Sequence, residues 1–160
     1  MIRRLTLLMA IVAAFGLVAV GCSSGNGTNE VHNDTAMAAG DLFSQPAKTT
    51  VSLQMQDIKF EPTQINARVD EVIEIDLKNL GLLDHDFTIE KIDADDAMKM
   101  NGMVPEGHQV HVDEYNVHVA MVSKAEAQLR LHVHERGTYE FFCTVLGHRE
   151  AGMKGSLVVK

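Results

Sequence analysis

Basic residues are in short supply in this chain. Lys and Arg number 14 against 22 Asp and Glu, a formal net charge of −8 over 160 residues. Phosphate contacts need cations, so this balance argues against a nucleic-acid partner. A long apolar run is also missing. The longest, Leu5 to Val20, has 16 residues and is short for a membrane-spanning helix. No repeat at a solenoid period is visible, which excludes stacked-repeat architectures. Cysteine occurs only twice, at positions 22 and 143.

What is present at the N-terminus reads as an export signal. Arg3 and Arg4 precede the apolar run, which ends at Ala19-Val20-Gly21-Cys22, in the manner of a secretory leader. The last four residues resemble a bacterial lipobox, which implies lipid on Cys22. An uncleaved anchor helix is the alternative. Residues 1–22 are therefore expected to be a leader and 23–46, rich in Ser, Gly, Asn, Thr and Ala, a flexible tether. Residues 47–160 are expected to be the folded domain, exported and held at the periplasmic or outer face of a membrane. Removing the leader takes away two arginines and no acid, so the remainder carries 12 basic against 22 acidic groups. That excess suits solubility, and it also suits steering toward a basic protein surface such as a cytochrome face.

From residue 49 onward, short β-type segments alternate with turn residues. Strands are expected at 49–56, 64–68, 72–77, 86–91, 117–122, 128–134, 137–143 and 156–160. About eight strands in this length predict an all-β sandwich. The stretch 92–116 breaks the rhythm: it opens with Asp93, Asp95 and Asp96, and later holds Gly102, Pro105 and Gly107. It is expected to be a partly irregular excursion, with a helical turn around 94–99.

The chemistry concentrates in Cys143-Thr-Val-Leu-Gly-His148-Arg-Glu-Ala-Gly-Met153. A thiolate, an imidazole and a thioether fall on one short loop between two expected strands. Soft sulfur with imidazole suits copper, and two histidines, one cysteine and a distant axial methionine form the blue-copper electron-transfer set. Upstream, His85 at a strand start in Leu83-Asp84-His85-Asp86-Phe87 supplies the second imidazole. Alternation puts Tyr139, Phe141 and Cys143 on one strand face, and their apolar character helps keep water from the sulfur. Gly147 and Gly152 precede two of the ligands and permit tight turns. Gly155 then admits the chain to the last strand. A lone thiol in an oxidising compartment needs protection, which a metal provides. A buried core cysteine is the simpler reading of Cys143 alone, but it leaves His148 and Met153 unexplained.

Tyr139-Glu-Phe-Phe-Cys143, Gly147-His148 and Gly152-Met153-Lys-Gly155 resemble the C-terminal copper loop of the cupredoxins, most nearly small plastocyanin-like members such as auracyanin and sulfocyanin. The resemblance spans about residues 48 to 160 and is weakest in the middle. Two positions depart from the family pattern: Leu146 stands where proline is common, and Asp86 where asparagine is common. The resemblance implies a Greek-key sandwich, one type 1 copper alternating between Cu(II) and Cu(I), and ligands His85, Cys143, His148 and Met153. It also implies that Asp86 accepts a hydrogen bond near Thr144, tying the two ligand segments together. A surface aspartate at a strand start is the other reading of Asp86.

The expected function is single-electron transfer between membrane-associated redox partners by a monomer without turnover of its own. Catalysis at a metal needs an open position, and four protein ligands leave none. There is no His-Cys-His sequence for a multicopper oxidase and no second loop cysteine for a dinuclear centre. Met98, Met100, Met103, His108 and His111 form a run that could hold a weaker, exchangeable cuprous site, which would make the protein one for copper storage or delivery; adaptable filler is the plainer reading. His132 and His134 share a strand face, as a packed surface pair or as metal donors. Phe142 and Leu146 are expected to form an apolar docking patch.

Overall fold

The structure is a computed structural model and describes residues 42–101 and 115–160. Ten strands are present: β1 (Thr49–Gln56), β2 (Lys59–Glu61), β3 (Gln64–Ala67), β4 (Val72–Asn79), β5 (His85–Ile89), β6 (Ala94–Asn101), β7 (Val117–Met121), β8 (Glu126–Val133), β9 (Gly137–Phe142) and β10 (Lys154–Val159). They form two five-stranded sheets with orders β2-β1-β4-β8-β6 and β3-β10-β9-β5-β7. β1 runs parallel to β4, and β3 parallel to β10, while the other pairings are antiparallel.

Period-two burial explains how the sheets face each other. In β8, Ala127, Leu129, Leu131 and Val133 are buried, while Gln128, Arg130 and His132 between them are less so. β4 presents Ile73, Ile75 and Leu77 in the same way. The opposing sheet contributes Phe87, Ile89, Phe141 and Leu157. Phe60 of β2 meets Phe87 and Phe141 edge to face, at 6.3 and 5.3 Å between ring centroids. Such contacts add to the area term of burial. The result is the all-β sandwich expected from the pattern of short strands.

Three details differ from the reading of the sequence. β2 is a three-residue strand, too short to leave an alternation signal. The segment 94–99 is not a helical turn: it lies within β6, which pairs with β8 from Ala94↔Val133 to Asn101↔Glu126. Only Ala97 of that strand is fully buried, because β6 is a sheet edge, and edge strands tolerate charge. The excursion off the sandwich therefore excludes 94–101. Residues 42–46, read as the end of the tether, pack on the outer face of the first sheet. Leu42 is buried with Val72 and Ala97, and the Arg130 guanidinium donates to the carbonyls of Leu42 and Gln45 while pairing with Glu74. Cys22, Met103, His108 and His111 lie outside the described residues.

Candidate metal centre

β5 and β9 are neighbours in the second sheet, paired at Thr88↔Phe142. His85 opens β5 and Cys143 follows β9, so both sit at the same end of the sandwich. His85 belongs to the inward row with Phe87 and Ile89, and it is fully buried. The loop after Cys143 brings the remaining groups back. Its backbone is closed on itself: His148 N–H donates to Val145 O, Met153 N–H to His148 O, and Cys143 N–H to Met153 O, at 3.0, 2.9 and 3.1 Å. Gly147 and Gly152 hold φ of 83° and 107°, conformations that side chains other than glycine rarely adopt.

Three donor atoms converge there. Cys143 Sγ lies 3.5 Å from His148 Nδ1 and 4.0 Å from His85 Nδ1. The two imidazole centroids are 5.1 Å apart, and all three donor atoms fall within 4.8 Å of one another. Sulfur at about 2.3 Å and nitrogen at about 2.0 Å from an ion, spread in a trigonal plane, would lie about 3.7 Å apart. The observed spacings bracket that value, so the donors fit one ion. Met153 is fully buried beside them, and His148 keeps 8% of its surface exposed. Thiolate, two imidazoles and thioether are the donor set of a type 1 copper site, with ligands His85, Cys143, His148 and Met153.

Burial tunes the donors in opposite senses. It pushes the Cys143 thiol up to about 11, helped by the Asp86 carboxylate nearby. It lowers the His85 imidazole below its ordinary value, and His148 adds to that effect. At neutral pH the imidazole of His85 is thus ready to ligate, whereas the thiol must give up a proton first.

Asp86 is buried and points away from the ligand row. Its Oδ1 accepts from Thr144 N–H at 2.7 Å and its Oδ2 from the Thr144 hydroxyl at 2.5 Å. The Thr88 hydroxyl donates to Oδ1 at 3.1 Å, and His118 Nε2 lies 3.6 Å from Oδ2. One carboxylate thereby ties the start of β5 to the residue after Cys143. Leu146 is fully exposed at 98%. Phe142 is not: only 4% of it is accessible, because the Arg149 guanidinium lies 3.8 Å over its ring and Tyr115 meets its edge. Phe142 is therefore no part of an apolar surface.

Two residues escaped the sequence reading. Asn79, buried at the end of β4, donates its amide to the carbonyls of Leu83, Met121 and Val122 and accepts from Gly81 N–H. It shapes the loop that delivers His85. An Asn before a Leu-Gly turn is a weak signal of this. His118, beside Asp86 and Tyr115, had none. Met98 and Met100 stand on β6 facing opposite ways from Ala97 and Lys99, with Met98 exposed and Met100 against the core edge.

Comparison with known proteins agrees with this geometry. The profile of copper binding proteins of the plastocyanin/azurin family matches residues 47–160. The copper-resistant cuproprotein CopI of Rubrivivax gelatinosus is 31% identical over 120 residues, covering 71% of this chain and 68% of CopI. Among solved structures, reduced auracyanin of Roseiflexus castenholzii superposes with a TM-score of 0.56 at 17% identity, covering 72% of this chain and 99% of that one. Auracyanin B gives 0.53 at 20% identity, over 72% and 91%. At these identities the two structures speak for the fold alone.

Proposed function

The chain belongs to the plastocyanin/azurin family of copper-binding proteins, and from that premise we propose that it carries single electrons between redox proteins outside the cytoplasm. The observation that carries this reading is the convergence of buried Cys143, His85 and His148 at 3.5–4.0 Å, with Met153 buried beside them. Copper, when bound, supplies a Cu(II)/Cu(I) couple. The chain's part is to keep the donors in place through that change. A loop closed by its own hydrogen bonds and a carboxylate tie between β5 and Cys143's neighbour resist rearrangement, which favours rapid exchange of an electron. His148, the donor nearest solvent, gives electrons the short exit. We assign the protein no turnover of its own.

The N-terminal pattern supports export and attachment to a membrane through Cys22. The acidic balance supports a partner with a basic face, such as a cytochrome or a membrane-bound electron-transfer complex. A monomer suffices for this role.

The test is spectroscopic. Copper-loaded protein should be strongly blue with narrow copper hyperfine splitting and should cycle reversibly at an electrode. Cys143→Ser should abolish the colour. A colourless protein, or one indifferent to that substitution, ends the electron-carrier reading.

The similarity to CopI favours a second reading, in which the protein contributes to copper resistance. Here Met98 and Met100, with Met103, His108 and His111, would take cuprous ion for storage or delivery. A Cu(I) equivalent beyond the first, lost on replacing Met98, Met100 and Met103, would separate this reading from simple electron carriage.

A further inference from the structure

A second group of donors lies at the far pole of the sandwich. β8 leaves the copper end at Glu126, and its last residues are about seven positions farther on. At 3.3 Å per residue, that is roughly 23 Å away. His132 and His134 share one strand face there, with rings 4.7 Å apart at 84°. Asp95 of β6 stands opposite His132 in register. Its Oδ2 is 3.3 Å from His134 Nε2 and 3.8 Å from His132 Nδ1. Asp70 arrives from the turn between β3 and β4, where its N–H donates to Val133 O. Donor atoms of Asp70, His132 and His134 lie within 4.8 Å of one another. Asp70 and the two imidazoles thus form one compact donor group, and Asp95 flanks both imidazoles from β6.

An ion pair between protonated histidine and Asp95 would explain part of this cluster but not all of it. His132 Nδ1 is buried and has no hydrogen-bond partner among the described residues. At 3.8 Å, Asp95 is too distant to serve as one. A buried polar atom without a partner carries a cost that a bound cation would remove. Nitrogen and oxygen donors about 2.0–2.2 Å from an ion in tetrahedral array sit about 3.4 Å apart. Asp95 and His134 already meet that spacing, and the exposed side chains of Asp70 and His134 are free to close the remainder.

We propose that Asp70, Asp95, His132 and His134 form a second metal site, separate from the type 1 centre, that binds a divalent transition cation. The donors contain no sulfur, so the site selects Zn(II) or Cu(II) over cuprous ion. This distinguishes it from the methionine run near β6, and it stands whether or not the protein carries electrons.

The experiment uses the full chain with its type 1 site filled with copper. Calorimetric titration with Zn(II) alone should reveal one further equivalent per chain. His134→Gln and Asp95→Asn should each weaken that equivalent at least tenfold, since loss of even an outer partner of a metal ligand costs 10–100-fold. The blue absorption should not change in either variant, which excludes a global effect. A second equivalent of Cu(II) should add an EPR signal with wide hyperfine splitting, and Zn(II) added first should suppress it if both ions share the site. Should Asp95→Asn fail to fold, His134→Gln decides, because that side chain is about one third exposed. Absence of any divalent ion beyond the first copper overturns the proposal. So does an extra equivalent that both variants retain.

Discussion

At Cys143 a single atom sets how metal uptake depends on pH. Its thiol titrates near 11 in the folded protein, against an ordinary value of 9.0, chiefly because it is buried. A raised folded pKa means that the native state holds this proton more tightly than the unfolded chain does. The contribution to stability is complete below pH 9 and is lost as pH rises from 9 through 11. His85 works the other way. Its lowered pKa gives a contribution that is complete above 6.5 and is lost as pH falls through the depressed value. The metal-free protein should therefore be most stable between these limits, as denaturant melts across pH would reveal. Uptake of Cu(II) at pH 8 should release the Cys143 proton, since the thiol is held protonated there and must ionise to ligate, measurable with an indicator dye in weak buffer. A release near zero would contradict the protonated thiol. Asp86 allows a second check at the same scale. Its charge is the next largest cause of the raised thiol pKa, and it accepts both Thr144 bonds. Asp86→Asn should lower the thiol pKa, read from thiolate absorbance in the metal-free protein. It should also destabilise the fold by about 1.5–3 kcal/mol, the worth of a hydrogen bond to a charged group.

Among the elements, legibility followed burial pattern. β1, β4 and β8 alternate buried and less buried residues, and the sequence places them within a few residues of their observed ends. β6 was misread because an edge strand with one fully buried residue leaves no alternation, and Asp95, Asp96 and Lys99 imitate a solvated turn. The ligand loop was readable for a different reason. Its donors are close in sequence, and their chemical types are rare together. The support for that loop is harder to see, since Asn79 acts through carbonyls 42 and 43 positions away in sequence, on Met121 and Val122. Asn79→Ala would remove three amide donations to carbonyls and the side-chain acceptor of Gly81 N–H, while Gly81 N–H keeps Met55 O at 3.2 Å and Val122 O keeps Ala125 N–H at 3.1 Å. A loss of about 2–4 kcal/mol is expected from the several bonds removed. Hydrogen exchange should accelerate at Gly81 and along the loop to His85, while β3 and β10 keep their protection. Uniform acceleration over both sheets would mean that Asn79 stabilises the fold at large and not this loop.

Across the whole molecule, exposed apolar side chains are distributed unevenly. Six large hydrophobic residues are exposed among those described, and four of them, Leu80, Leu82, Leu83 and Leu146, lie on the two loops that bring the histidines together. Leu82 and Leu146 are 86% and 98% accessible, so neither contributes to the core. Clustered exposure of this kind marks a contact surface more often than chance. The donor nearest solvent, His148, is two residues from Leu146. An electron carrier that docks through these loops should gain attraction at long range from its net charge and close contact from its leucines. Charge governs the rate of encounter and fades with salt; apolar contact persists. Leu146→Glu should therefore leave the blue spectrum and the melting temperature almost unchanged, because the side chain touches solvent alone. Electron exchange with a basic cytochrome should slow by tenfold or more, and the deficit should remain at high ionic strength, where steering is screened. Equal rates for variant and parent in high salt would place the contact surface elsewhere on the sandwich.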